Sequence, residues 1–274
     1  MSKRSLGRED GFVLLVILVI TGVVGVITLA VSQSSRDDYR EMKLHLDLTK
    51  ARLHADNAIV RAIAALGDPS DPLHGVLLQP GAGHTFRLND IDVHIAIEHE
   101  SGKIDLNHAD LTLISNALRR MAPETGTADV MLARIEQLRA SKTFIDHPDA
   151  ILSAAQQFDP IAGKIRRLFT VATGARGIAP HLAPPDVMAA IPGILPEELA
   201  LLATGNNRAG GTLSPVLIRH QAYYSPSRPI YTIRARVAGK SLPPLRRHAV
   251  IAIGQVPIRR LADIALLGWG GENL

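Results

Sequence analysis

Hydrophobic positions change their period along this chain, and each change marks an element. From Phe12 to Val31 about 20 residues run without a charge, FVLLVILVITGVVGVITLAV. As a helix rising about 1.5 Å per residue, that run crosses the hydrocarbon core of a bilayer. Beyond it Leu44, Leu48, Ala51, Ala55, Ile59, Ala62 and Leu66 recur at spacings of three and four, with Asp37, Lys43, Lys50, Arg52 and Arg61 around the remainder. That period gives one apolar helical face. The spacing predicts a single helix over 12–66, greasy in front and amphipathic behind. Its apolar face packs on the chain's own sheet, with a heptad coiled coil as the competing reading. Gly67-Asp68-Pro69 ends the helix, because Gly takes the left-handed cap and Pro cannot continue. Asp68 to Gly83 is rich in Pro and Gly and reads as a loop.

The period then drops to two. Phe86, Leu88, Ile91, Val93, Ile95 and Ile97 interleave with Arg87, Asp92, His94 and Glu98, predicting a half-buried hairpin turning at Asn89-Asp90. From Ser101 helical patterns take over, near Leu111–Met121, Ala128–Ala140, Asp149–Phe158 and Ala162–Phe169. Asn107, with Asp110 in the first turn, reads as the first N-cap. Two short helices flank Ile191-Pro192-Gly193, with Pro185 and Pro196 at first-turn positions and Glu197 and Glu198 at the start of the second. Past Gly210-Gly211 alternation returns at Tyr231, Ile233, Ala235 and Val237. Gly239 to Pro244 turns the chain, and Ala249 to Ile253 supplies a partner strand. The tail, Pro257 to Leu274, either packs on the domain or frays.

These elements predict an α+β fold: a long N-terminal helix on an antiparallel sheet, with a large all-helical insertion between strand hairpins. The corresponding segments are a leader at 1–11, the helix at 12–66, a first part of the α/β domain at 67–106, the insertion at 107–215, and the second part with the tail at 216–274.

Charge and composition narrow the function. The 274 residues carry a net charge of +4 and a sequence pI of about 9.6, with a mean hydropathy of +0.13. A basic balance favours acidic partners. Here the basic residues are scattered among acids and only 4% of residues are aromatic, which argues against a stacking platform for single-stranded nucleic acid. Arg234, Arg236, Arg246 and Arg247 read as the wet face of a sheet near its edge. The chain has no cysteine, so disulfides, thiol catalysis and cysteine zinc sites are excluded.

Candidate chemistry is sparse. His94, His99, Glu98 and Glu100 match no metal-ligand spacing, and Asp90 with Asp92 lacks the dense oxygen run of a calcium loop. The pair of helices around Ile191-Pro192-Gly193 resembles a helix-hairpin-helix, a shape used on DNA backbones. Its flanks are acidic and apolar rather than basic. A membrane-anchored DNA receptor is therefore the alternative function, while the favoured reading has no nucleic-acid partner. No GxSxG, HExxH, Walker or GxGxxG arrangement occurs in a fitting context, so a structural role is favoured over a catalytic one and calls for no cofactor, with an anchored periplasmic enzyme or a general adaptor as the third class.

The N-terminus admits three readings. A cleaved secretory signal ending near Ala30-Val31-Ser32 would have an overlong apolar run. A plain signal anchor would hold its N-terminus in the cytoplasm, since Lys3, Arg4 and Arg8 precede the run while the charges after it nearly cancel. The third reading resembles a type IV prepilin signal, cut on the cytoplasmic side between Gly11 and Phe12. Most pilin-like proteins carry Glu at the fifth residue after that cut, where this chain has Val16. A carboxylate buried in lipid costs about 2.5–3.5 kcal/mol, which in a filament the neighbouring subunit's terminal amine is thought to offset. A subunit with nothing above it has no amine to meet.

Two further segments carry a fuller resemblance, Gly102-Lys103-Ile104-Asp105-Leu106-Asn107 and the run APPDVMAAIPGILPEELALL with its Ala189-Ala190-Ile191-Pro192-Gly193. Together with the start lacking the Glu, they resemble the minor pseudopilin K family of type II secretion systems, in order along nearly the whole chain. In that family the second segment is approached through an Asn-rich stretch; here Ala179 to Pro184 stands instead. The resemblance implies a pilin-like fold anchored once in the bacterial inner membrane, with its C-terminal domain in the periplasm. It implies cleavage and N-methylation at Gly11/Phe12 by a prepilin peptidase. It implies assembly with other minor pseudopilins at a filament tip, on an inner-membrane platform. Some members bind calcium, and no ligands for it are placed here.

Overall fold

The computed structural model describes residues 8–79, 83–88, 91–122, 126–152, 160–203, 208–209, 212–213, 215–238, 245–254 and 264–273. The first helix, α1, runs Arg8–Gly67 without a break, about 90 Å at 1.5 Å per residue. Its rear half buries Ala51, Ala55, Ala58, Ile59, Ala62, Ala65 and Leu66. Small side chains on this face let the sheet approach closely. Leu44 begins the same periodic series yet stays exposed, because the sheet reaches only as far down as Ala51.

The helix stops where the sequence says. The Asp68 carboxylate accepts from the Ser70 amide and hydroxyl at 2.9 and 2.6 Å, a local turn that competes with further helix. The Asp68–Gly83 segment is not all loop: His74–Leu77 forms a short helix, α2. It is pinned by the Arg61–Asp71 ion pair at 2.7 Å and by His74 Nδ1 against the Ala65 carbonyl at 3.0 Å.

Strand β1 (Gly83–Leu88) pairs antiparallel with β2 (Ile91–His99). The Asn89-Asp90 turn lies outside the described residues. After β2 the chain leaves the sheet. It passes through β3 (Ile104–Asp105), α3 (Leu111–Met121), α4 (Thr127–Ala140), a 3-10 turn at Pro148–Ile151, α5 (Pro160–Leu168), β4 (Phe169–Thr170), α6 (Pro185–Met188) and α7 (Pro196–Ala203). It continues through β5 (Arg208–Ala209), β6 (Thr212–Leu213) and α8 (Pro215–Arg219), then re-enters the sheet as β7 (Ile230–Ala238). Strands β8 (Leu245–Ile253) and β9 (Ile264–Asn273) complete an antiparallel sheet ordered β1-β2-β7-β8-β9. The Gly239–Pro244 turn and Gly210-Gly211 fall outside the described residues.

Two cores result. One joins α1 to the helix-facing residues Val93, Ile95, Ile233, Ala235, Val237, Ala249 and Ile251. The other runs from Ile104 to Leu217, built on Leu113, Ile114, Leu118, Met131, Ile135, Ile165 and Phe169, with Tyr223 and Tyr224 packed at its margin. This second core is mainly helical, with β3 and β4 pairing parallel at its base.

Several local expectations change. The N-cap of α3 is Asp110, whose carboxylate accepts from the Thr112 amide at 2.7 Å. Asn107 is committed elsewhere. In place of the expected helix over Asp149–Phe158 there is the 3-10 turn at Pro148–Ile151, capped by His147; the part beyond Leu152 lies outside the described residues. Within the tail, Ile264–Asn273 is a strand, β9, and its pairing with β8 is irregular at Val250/Ile251 of β8; the part before Ile264 lies outside the described residues. Arg247 is not on the wet face. It faces α1, where it pairs with Asp56 at 3.0 Å and lies 5.7 Å from the Trp269 ring centroid.

Candidate functional site

The N-terminal candidates, Gly11, Phe12 and Val16, all lie within α1, which already begins at Arg8. The Gly11–Phe12 bond is thus an intrahelical peptide in the uncut chain. From Leu15 to Val31 the large apolar side chains are uncovered, Val16 at 37% and Leu18 at 69%. None of the most apolar window of this helix is buried in the chain, and its mean hydropathy is 2.7. Such a surface belongs in lipid or against other helices. The helix is compatible with a single-pass membrane anchor.

The two segments singled out in the sequence meet at the base of the helical core. An alanine-type Cβ at Gly102 would stand 2.2 Å from the Leu182 carbonyl oxygen and 2.9 Å from the Ala183 Cα. Only glycine lets these backbones touch. Beside that contact the Ala179 amide donates to the Ser101 carbonyl at 2.7 Å. The Ser101 hydroxyl donates to the Arg228 carbonyl at 2.8 Å, and the Arg228 amide lies 2.9 Å from the same oxygen.

The residues that follow explain the rest of the motif. Lys103 is buried, and its ammonium lies 2.7 Å from Glu100 and 2.9 Å from Glu98. Glu98 also pairs with Arg234. Burial works against the charged form of Glu98, but Lys103 and Arg234 outweigh it and hold its carboxyl below the usual range. Ile104 and Leu106 point into the core at 0% exposure, and Asp105 between them is equally buried. One Asp105 oxygen accepts from the amides of Asn107 and His108 at 2.9 and 3.0 Å and contacts the His108 ring at 3.1 Å. The other accepts from the Thr173 amide and hydroxyl at 3.1 and 3.0 Å, and from the Gly174 amide at 2.8 Å. A buried carboxylate this fully bonded ties the start of the head to the loop after β4. Asn107 closes a two-way bond with the Ile145 backbone, 2.9 Å each way. Arg139 braces the same turn from α4, donating to the carbonyls of Leu106 and Ala109 at 2.8 and 2.9 Å. Sequence spacing had no means of naming Thr173, Ile145 or Arg139. The one available signal was an Asp set between two apolar core positions.

The other candidates are held by protein partners. His94 meets the Thr85 hydroxyl at 2.7 Å. His99 accepts from the Ser101 amide and meets the Tyr231 ring at a tilt of 56°, centroids 4.7 Å apart. Among the described residues no three His, Asp or Glu side chains gather as a metal site. In the Ile191-Pro192-Gly193 hairpin, Ala190 and Ile191 are buried in the head's core. The start of α7 is filled by its own Glu198, which accepts from the Leu195 amide at 3.0 Å and pairs with Arg219 at 2.6 Å and His220 at 3.4 Å. A phosphate would have to displace that carboxylate.

His99 gives a pH prediction. Burial, then the charge of His181, drives its pKa from 6.5 down to about 4. The folded state therefore binds fewer protons than the unfolded one between these values. Its stabilising share is full above pH 6.5 and is lost as pH falls towards 4. Urea midpoints should drop from pH 7 to pH 5 in the native chain, and His99→Gln should flatten that part of the profile.

No family model matches the sequence, and no curated protein matches it. A solved structure does: a chain of the GspK-GspI-GspJ complex from the enterotoxigenic Escherichia coli type 2 secretion system. The superposition covers 86% of this chain and 99% of that one, with a TM-score of 0.55 and 10% identity. The fold is pseudopilin-like. At that identity the match speaks for architecture, which is a long N-terminal helix on an antiparallel sheet with helical segments.

Proposed function

We propose that this chain is a minor pseudopilin at the tip of a type II secretion pseudopilus, where it primes and caps the filament. The observation that carries the reading is the arrangement itself: a bare apolar front on α1, a sheet packed only on its rear, and a bulky head set between β2 and β7. The helix starts in the inner membrane with its N-terminus cytoplasmic and its globular part periplasmic. A prepilin peptidase cuts before Phe12 and methylates the new amine. The assembly platform then draws the helix from lipid into a bundle with other minor pseudopilins. About 15 strongly apolar residues at 0.3–0.6 kcal/mol each leave roughly 5–9 kcal/mol of lipid contact for partner helices to replace. Val16 removes the carboxylate that would need an amine from above, and the head obstructs a subunit arriving there. Both fit a first subunit.

Mass spectrometry of the chain from cells holding the peptidase should find N-methylated Phe12 at the mature terminus. An intact Met1, or a terminus near Val31, would refute the assignment.

A further inference from the structure

The five-stranded sheet ends in β9, and among the described residues β9 pairs with β8 alone. Its outer edge therefore carries a row of backbone N–H and C=O groups, about one of each for every two residues. Proteins guard such an edge with Lys, Pro or a covering element. Strand β9 reads IALLGWGGEN and has no Lys, Arg or Pro. The opposite edge, β1, is shorter, carries His84 and Arg87, and has α2 packed against it. An open edge like that of β9 is completed by one more strand.

The two faces of β9 say what that strand carries. The register shift at Val250/Ile251 leaves Leu267 as the residue without a partner on β8. A bulge of this kind re-aims side chains. Here it sets both Leu266 and Trp269 on the helix side of the sheet, opposite Ile251 and Ala249 of the α1 core. Yet Leu266 is 57% and Trp269 38% exposed, because α1 packs mainly on β2, β7 and β8. Apolar side chains on an added strand would fill this shelf.

The outer face differs. There Gly268 and Gly270 stand opposite Val250 and His248. The His248 ring lies over Gly270, its Cε1 only 2.5 Å from where a Cβ would sit. Side chains of β8 thus lean across β9 towards the edge. Beside them Arg236 and Arg246 stand directly opposite each other on β7 and β8, both exposed, and neither forms an ion pair among the described side chains. Like charges placed this way cost stability unless an anion joins them. Glu272 lies in register with Arg246 and is one acid against two arginines. Acids on the outer face of an added strand balance the other. We infer that β9 takes up an extended segment of a partner protein in which acidic and apolar residues alternate. Its acids pass over Gly268 and Gly270 towards Arg246, and its apolar residues lie beside Leu266 and Trp269. This goes beyond the pseudopilin reading and does not rest on it.

The test uses the tagged full-length chain, purified in detergent. The probe is a capped, fluorescent peptide of about eight residues, an ordinary strand length, alternating Val and Glu. Anisotropy should show it binding about ten-fold tighter than its Val–Lys counterpart, and about ten-fold tighter than a peptide of the same composition with Val and Glu in two blocks. Hydrogen exchange should show β9 amides gaining protection on binding. Arg246→Glu and Leu266→Glu, both at exposed positions, should each weaken binding about five-fold with an unchanged thermal melt. Equal binding of the three peptides, full binding by both variants, or protection gained only outside β9 overturns the inference. So does a concentration-dependent dimer that Leu266→Glu abolishes, which would make a second copy the occupant, or tighter binding of a single-stranded oligonucleotide of equal charge. Each of these results leaves the proposed pseudopilin role standing, because that role is tested at the mature N-terminus.

Discussion

Replacing Asp105 with alanine should destabilise the protein by about 3–5 kcal/mol, the largest loss expected from any single polar side chain here. The change strands the amides of Asn107, His108, Thr173 and Gly174 and the Thr173 hydroxyl, of which the two Thr173 donors are fully buried. Each buried donor left without an acceptor costs about 1–3 kcal/mol, though neighbours relax and the sum is less than additive. A soluble fragment beginning at residue 36 should melt about 10 °C lower. Asp105→Asn should recover part of the loss, because one amide oxygen still accepts while the amide nitrogen faces donors. A melt within 2 °C of wild type for Asp105→Ala would show that the network carries no weight.

Gly102→Ala comes second. The new methyl would lie 2.2 and 2.5 Å from the Leu182 carbonyl oxygen and carbon, against backbone that has no rotamer to change. The 3-10 turn at Glu100–Gly102 and the Ala179–Ala183 segment must separate, at about 3 kcal/mol. Hydrogen exchange locates the effect: the Ala179 amide, bonded to Ser101 in the native fold, should lose protection first. Gly163→Ala is the control, since nothing lies near a Cβ there and alanine favours the α5 helix. Equal losses at the two positions would refute the close-approach argument.

Periodicity made much of this architecture readable. The core face of α1 from Ala51 to Leu66, α3 at Leu111–Met121 and the alternation of β2 and β7 are patterns of burial, and burial writes itself into residue type. What escaped was long in sequence and short in structure. Strands β3 and β4 are two residues each and meet across more than sixty positions, so no window holds both. Asn107 has the composition of a cap, and only Ile145, 38 residues on, reveals its task. Strand β9 reads IALLGWGGEN, where glycines erase the alternation. The N-terminal candidates Gly11, Phe12 and Val16 were read from the edge of the apolar run alone, and the fold places all three within α1.

The bonded pair Ser101 and Arg228 also bears on the order of folding. Strands β2 and β7 must find each other across the whole head, and closing so long a loop from a random chain is slow and entropically opposed. The head finishes emerging before β7 does, and its own core is independent of the sheet. Once it has condensed, its two ends stand a hydrogen bond apart at 2.8 Å. To the sheet it then behaves as a tight turn, and β2 and β7 zip together as an ordinary hairpin would.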